Sequence, residues 1–159
     1  MRPWLKLSLV GAGVAILAAQ IARPPRTNPP EVIGHNLYAM VPVEAEVAGV
    51  LNRSCNDCHS NSTVWPWYSQ VAPASWLVAF DVHRGRKAMN LSEWASYSPK
   101  RQRELLTDAC EEAAKGEMPV AQYVAIHRDA RLSFADRQLL CDWAYRTARP
   151  APETAGLQE

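Results

Sequence analysis

Apolar positions along most of this 159-residue chain recur at spacings of three and four, the pattern of amphipathic helices. One helix is predicted to start at Ser98-Pro99, an N-cap followed by proline, and to end at Gly116. A last helix is predicted to start at Ser133 and to be closed by Pro150. No alternating β-branched run and no Asn-Gly or Asp-Gly hairpin signal is present. The pattern therefore predicts an all-α domain.

The first 22 residues differ from the rest in being mostly apolar. Arg2 and Lys6 precede an uncharged stretch over residues 7–22, and prolines follow it. This order is typical of an export signal, so we predict residues 1–22 to be a signal peptide or membrane anchor. We favour an uncleaved anchor, because no clean Ala-x-Ala cleavage site lies near the end of the stretch.

The remaining chain divides into three segments by composition. Residues 23–34 are rich in proline and polar side chains, which predicts an extended tether outside the fold. Residues 35–149 hold the helical pattern and form the predicted domain. Residues 150–159 are predicted to be a disordered tail.

Composition adds two points to this picture. The formal charge of +1 gives no clustered basic face, so we predict no nucleic-acid partner. The chain has six tryptophans but only two phenylalanines, and three of the tryptophans lie between residues 65 and 76. Flat, rigid side chains concentrated in one stretch are suited to lining a large apolar group, or to filling an ordinary core.

The segment Cys55-Asn56-Asp57-Cys58-His59 is the one strong chemical motif. Two thiols three positions apart can add to the two vinyl groups of one haem, and the adjacent histidine can then bind the iron. Export supports this reading, because covalent haem attachment takes place outside the cytoplasm. We therefore predict one covalent haem c on Cys55 and Cys58, with His59 as an iron ligand.

Three other uses of a CxxC pair are less well supported. A thioredoxin-like redox pair needs a βαβ pattern, which the sequence lacks. A zinc site needs a second pair of ligands, and Cys110 and Cys141, 31 residues apart, do not form one. A disulfide between Cys55 and Cys58 leaves His59 unexplained.

The residues after the motif carry a family resemblance. The block Cys55–Tyr68, CNDCHSNSTVWPWY, resembles the CxxCHSNxTxWPWY block of the bacterial haem-binding domain family, small exported proteins. The likeness extends over roughly residues 35–147 and includes Gly116-Glu117-Met118-Pro119. It implies a single c-type haem in a small, cytochrome c-like helical domain, and it implies little about the reaction.

Met118 is the leading candidate for a sixth iron ligand. It lies between the helix-ending Gly116 and Pro119, so its backbone belongs to a defined loop. The alternatives are His83, Met89 or an open site, with Met118 then a gap-filling core residue.

Further residues are predicted around the haem. Arg86, with Arg84, is a candidate to pair with the haem propionates, and solvated surface charge is the alternative. Aromatic side chains are predicted to wall the pocket: Trp65, Trp67, Tyr68 and Trp76. The spare Cys110 and Cys141 form either a disulfide or two buried thiols.

These expectations combine into a functional hypothesis. We predict a monohaem c-type cytochrome that transfers single electrons and is not an enzyme. It would lie on the periplasmic side of the bacterial inner membrane, anchored through residues 1–22, or soluble in the periplasm if the leader is cleaved. The alternatives are a five-coordinate haem enzyme or gas sensor, and a haem-binding accessory module of a membrane complex. The sequence does not identify the redox partner proteins.

Overall fold

The computed structural model describes residues 3–150. This part of the chain contains eight α-helices, joined by loops and three short 3₁₀ turns, and no strand. The all-α prediction is therefore confirmed. The helices are α1 Pro3–Ile21, α2 Leu37–Met40, α3 Ala45–Ser54, α4 Asn56–His59, α5 Ala74–Ala88, α6 Pro99–Lys115, α7 Ala121–Ile126 and α8 Phe134–Ala148. The predicted tail lies, except for Pro150, outside the described residues.

The apolar N-terminal stretch forms helix α1, which is 19 residues long with a mean hydropathy of 1.7. None of its side chains is buried in the domain. By length and composition α1 can cross a membrane, and a signal sequence would pass the same test.

Helices α6 and α8 pack along each other, and α8 also packs on α3. Both helices have the ends that the sequence predicts: Ser98 caps α6, Gly116 ends it with a φ of 78°, and Ser133 caps α8. The core between these helices includes Leu105, Leu106, Cys110, Leu140 and Trp143. Cys110 and Cys141 are joined in a disulfide with an S–S distance of 2.02 Å, which resolves the alternatives left open by the sequence.

The segment 23–34 is not the detached tether that its composition predicts. It is free of helix, but its side chains and carbonyls bond to the domain. The Asn28 amide donates to the Thr63 carbonyl at 2.9 Å, and a Glu31 carboxylate oxygen accepts from the hydroxyls of Ser62 and Ser92 at 2.7 and 2.6 Å. Tertiary hydrogen bonds, which composition does not reveal, place this segment on the domain surface.

Candidate functional site

The CxxCH motif folds as a single turn at the end of α3. Cys55 lies between α3 and α4, and its carbonyl accepts hydrogen bonds from the backbone N–H groups of Cys58 and His59 at 3.2 and 2.9 Å. Cys58 and His59 belong to α4 itself. Both cysteines are free thiols. We call residues 55–59 the attachment turn.

Two neighbouring cavities lie beside His59 of the attachment turn. The larger one, about 380 Å³, has a mostly apolar lining from α3, α6 and α8 that also includes Cys55 and His59. The smaller one, about 230 Å³, is lined by Cys58 and His59 and by part of α5. Both cavities share Ser54, His59, Ala88, Met118 and Pro119. The larger volume lies within the range of cofactor sites, so the space suits a large apolar group reached by both thiols and one imidazole.

His59 is held ready to bind a metal through one nitrogen. Its Nδ1 lies 3.0 Å from the backbone carbonyl oxygen of Met89. Because a carbonyl can only accept, Nδ1 carries the hydrogen and the lone pair of Nε2 is free for a metal. Burial lowers the pKa of His59, which also favours the neutral imidazole that a metal needs.

Met118 reaches the same cavities from the end of α6. Gly116 turns the chain in the left-handed conformation, and the Met118 N–H then donates to the Glu112 carbonyl at 3.2 Å. The Met118 side chain is 38% exposed and lines both cavities with His59. The structure therefore brings together the two residues predicted as iron ligands. Of the other candidates, Met89 lines the larger cavity, whereas His83 is exposed on α5.

The two motif thiols are not activated. Burial raises the pKa of Cys55 to about 12 and that of Cys58 to about 11, so both thiols are protonated at neutral pH. Catalytic and redox cysteines need a lowered pKa, which these lack. Among residues 3–150, no group of three or more His, Cys, Asp and Glu side chains is placed to hold a metal ion. The raised pKa values of both thiols count against the redox-pair alternative.

Gly85 allows α5 to lie directly against the attachment turn. A Cβ built at Gly85 would stand 2.3 Å from the carbonyl oxygen of Cys58, far inside van der Waals contact. Only glycine permits this approach of the two backbones. Sequence reasoning did not find this role, although Gly85 belongs to the segments that carry the family resemblance.

A polar network around Asp57 also supports the turn, and its Tyr123 lines the smaller cavity. Asp57 accepts from the Tyr123 hydroxyl at 2.7 Å and from the Val64 N–H at 3.0 Å. Tyr123 stacks on the His127 ring at a centroid distance of 4.3 Å, and His127 Nε2 lies 2.7 Å from the Tyr68 hydroxyl. Sequence reasoning missed this network. Its one available signal was an aspartate inside the haem-attachment motif.

The predicted aromatic walls lie away from the two cavities beside His59. None of the four side chains lines the two cavities beside His59: Trp65, Trp67, Tyr68 and Trp76. Trp65 Nε1 donates to Asn28 at 3.0 Å, Trp76 Nε1 donates to the Ala22 carbonyl at 3.0 Å, and Trp67 is 76% exposed. These partners turn the indoles of Trp65 and Trp76 toward the segment that follows α1. Tyr68 lines a separate cavity beside Cys58. Aliphatic side chains, including Leu51, Leu105, Leu132 and Leu140, line the larger cavity instead.

Arg86, the predicted partner of the propionates, bonds to oxygen atoms of the protein. Its guanidinium donates to the Ser60 and Thr27 carbonyls at 2.7 and 2.9 Å, and to Asn28 and Thr63 side-chain oxygens at 2.9 and 2.8 Å. These bonds occupy the side chain in joining segment 23–34 to the residues after the attachment turn. Arg84 lines the smaller cavity and is exposed.

Comparison with known proteins gives one match. A family model described as a haem-binding domain matches residues 14–146, which include the attachment turn, Gly85 and Met118. No curated protein and no solved structure matches the chain.

Proposed function

On the premise that the chain belongs to the haem-binding domain family, we propose that it is a membrane-tethered monohaem c-type cytochrome that transfers single electrons. Cys55 and Cys58 would hold the haem covalently, and His59 and Met118 would be the ligands of its iron. When bound, haem supplies reversible one-electron chemistry at its iron.

The observation that carries this proposal is the shared position of His59 and Met118. Both side chains line the same pair of cavities, and the Met89 carbonyl already orients the His59 ring with Nε2 free. Two protein ligands would leave no iron position for a substrate, which favours electron transfer over catalysis.

The thiols suit covalent attachment. Each would add across one vinyl group, forming a C–S bond while its hydrogen goes to the neighbouring vinyl carbon, so the addition balances without an oxidant. Cys55 borders the larger cavity and Cys58 the smaller one, which places a thiol beside each part of the space around His59.

Helix α1 would serve as the anchor. Its 19 residues span about 28 Å at the rise of an α-helix, close to the thickness of a bilayer core of about 30 Å. The domain would then lie on the periplasmic face of the inner membrane, where covalent haem attachment takes place.

Replacing the two cavity methionines one at a time tests the ligand assignment. In Met118→Leu we expect loss of the long-wavelength charge-transfer band of histidine–methionine ligated ferric haem, and carbon monoxide should bind the reduced protein readily. Met89→Leu, the matched control, should keep the band and exclude carbon monoxide. Optical spectra of the oxidised and reduced proteins measure both effects.

Two outcomes would contradict the proposal. If the unmutated reduced protein binds carbon monoxide readily, the sixth position is open, and the haem enzyme or gas-sensor alternative is favoured. If haem leaves the unmutated chain on a denaturing gel, the attachment is not covalent. A Cys55→Ser/Cys58→Ser variant gives the reference for non-covalent haem on that gel.

A further inference from the structure

Large apolar side chains lie exposed on the first half of α5 and around the 3₁₀ turn Trp67–Gln70 that precedes it. They are Trp67, Val71, Trp76, Leu77 and Phe80, with exposed fractions of 76, 47, 41, 47 and 55%. Soluble surfaces rarely gather so many large apolar groups unless they meet a partner or a membrane. We call these five residues the apolar surface.

The C-terminal end of α1 is bonded directly to this region. The Gln20 side chain accepts from the Ala72 N–H at 3.1 Å and donates to the Ala72 carbonyl at 3.4 Å. Trp76 Nε1 donates to the Ala22 carbonyl at 3.0 Å, and the Arg23 guanidinium donates to the Gln70 carbonyl. These hydrogen bonds therefore hold the apolar surface next to the C-terminal end of α1.

We propose that the apolar surface seats the domain in the interfacial layer of the bilayer that α1 crosses. This inference rests on the proposed role of α1 as an anchor. If α1 spans the bilayer, Gln20 and Ala22 lie at its outer boundary, and Trp76 is held at the same depth. Tryptophan concentrates at that depth, because its ring is apolar while its N–H needs a polar partner.

One charge on α5, that of Arg84, fits a lipid surface. Trp76, Phe80 and Arg84 follow each other at four-residue spacing along one stripe, and the Arg84 guanidinium lies 5.4 Å from the centre of the Phe80 ring. Helical side chains tilt toward the N-terminus, so Arg84 leans toward the apolar end of the stripe. There its charge can meet lipid phosphates while its stem covers apolar area.

A different part of the α5 surface lies against the attachment turn. Val82 and Gly85 are buried, and Gly85 lies against Cys58. The same helix therefore borders the attachment turn and carries three residues of the apolar surface, of which Leu77 also lines a cavity with Cys58. The surface would fix the height of the haem site above the membrane, which a flexible tether would not do.

Spin labelling of the full-length protein in vesicles tests the proposal. The two phenylalanines give a matched pair, because both are exposed. Phe80 belongs to the apolar surface, whereas Phe134 lies at the start of α8, a helix that packs on α3 and α6 and is not part of that surface. Phe80→Cys and Phe134→Cys variants would each carry a nitroxide, in vesicles of phosphatidylethanolamine and phosphatidylglycerol. Collision rates with oxygen, which enters lipid, and with a water-soluble nickel chelate are then measured with the haem oxidised.

The ratio of oxygen to nickel accessibility should be several-fold higher at position 80 than at position 134. A label at Val71→Cys gives an independent reading and should follow position 80. Equal ratios at positions 71, 80 and 134 would overturn the docking surface. A label at position 80 that is shielded from both reagents, and less so as the protein is diluted in lipid, would also overturn it. That result would assign the surface to a contact with a second copy of the chain.

A flotation control separates this inference from the anchor on which it rests. The unmutated chain should float with the vesicles after a carbonate wash. If it floats and position 80 still resembles position 134, the anchor stands and the docking surface fails. If it does not float, the anchor fails and the docking surface with it, while the haem-ligand spectra remain a separate test.

Discussion

At the scale of single residues, the attachment turn depends on neighbours that carry no redox or ligand chemistry of their own. The Met89 carbonyl orients His59, Gly85 admits α5 against Cys58, and Tyr123 holds Asp57. A haem ligand needs a fixed ring orientation, and residues outside the motif supply it.

A Gly85→Ala substitution should disturb the site through packing alone. Its Cβ would meet the Cys58 carbonyl oxygen at 2.3 Å, so either α5 or the attachment turn must move. We expect a loss of about 1–3 kcal/mol in the free energy of unfolding, with less haem bound per chain. Urea unfolding and the haem-to-protein absorbance ratio measure these two effects.

Gly49→Ala is the matched control for that experiment. Gly49 lies within α3, and a Cβ there meets nothing within 4 Å. Alanine should therefore stabilise this helix by about 0.5–1 kcal/mol and leave haem content unchanged. Equal effects of the two substitutions would show that the contact of Gly85 with Cys58 is not limiting.

At the scale of elements, α6 and α8 determine where Met118 lies. The buried stripe of α6, with Leu105 and Leu106, packs against α8, and the left-handed Gly116 at its end leads into Met118. The disulfide between Cys110 and Cys141 fixes the two helices to each other in the middle of this contact. A shift of α6 along α8 would therefore move the predicted iron ligand.

Removing the disulfide should lower stability without changing the fold. The bond joins residues 31 apart, so it restricts the unfolded chain by about 3–4 kcal/mol in the chain-entropy account. A Cys110→Ala/Cys141→Ala variant should lose about that much in urea unfolding. The unmutated protein unfolded in reductant should approach the same midpoint, and an unchanged midpoint in both cases would contradict the expectation.

At the scale of the whole molecule, segment 23–34 joins α1 to the domain along a fixed path. Arg86 bonds to Thr27 and Asn28 in that segment and to Ser60 and Thr63 beside the attachment turn. The Arg86 guanidinium therefore connects segment 23–34, which follows α1, with residues 60–63, which follow the CxxCH motif. Helix α1, the apolar surface and the attachment turn are therefore connected through hydrogen bonds within the chain.

Arg86→Gln should release the segment from the domain. Hydrogen bonds from a charged group are worth about 1.5–3 kcal/mol each, so tryptic cleavage after Arg26 should become at least about tenfold faster in the vesicle-bound protein. Lys87→Gln, which removes an exposed cation of the same helix, is the control and should leave the cleavage rate unchanged. Equal cleavage rates in the two variants would assign the stability of the segment to other contacts.

Local patterns account for the parts of this protein that its sequence predicts. Helix α6 begins after Ser98 and ends at Gly116, and α8 begins after Ser133. Each of these residues helps to satisfy backbone groups within one turn of the helix, so the signal is local in the sequence. The apolar α1 and the CxxCH motif are equally local. The family resemblance, confirmed over residues 14–146, extends the same kind of information along the chain.

The sequence by itself therefore determined the all-α class, the apolar N-terminal helix and membership of a haem-binding family, because each depends on neighbouring residues. Only the tertiary structure decided that Trp67 and Trp76 face outward, and that Arg86 bonds to segment 23–34. It also placed Met118 in the same cavities as His59. These outcomes depend on the hydrogen-bond partners and the free space that segments distant in the sequence provide once the chain has folded. Residue spacing within one segment does not specify those long-range contacts.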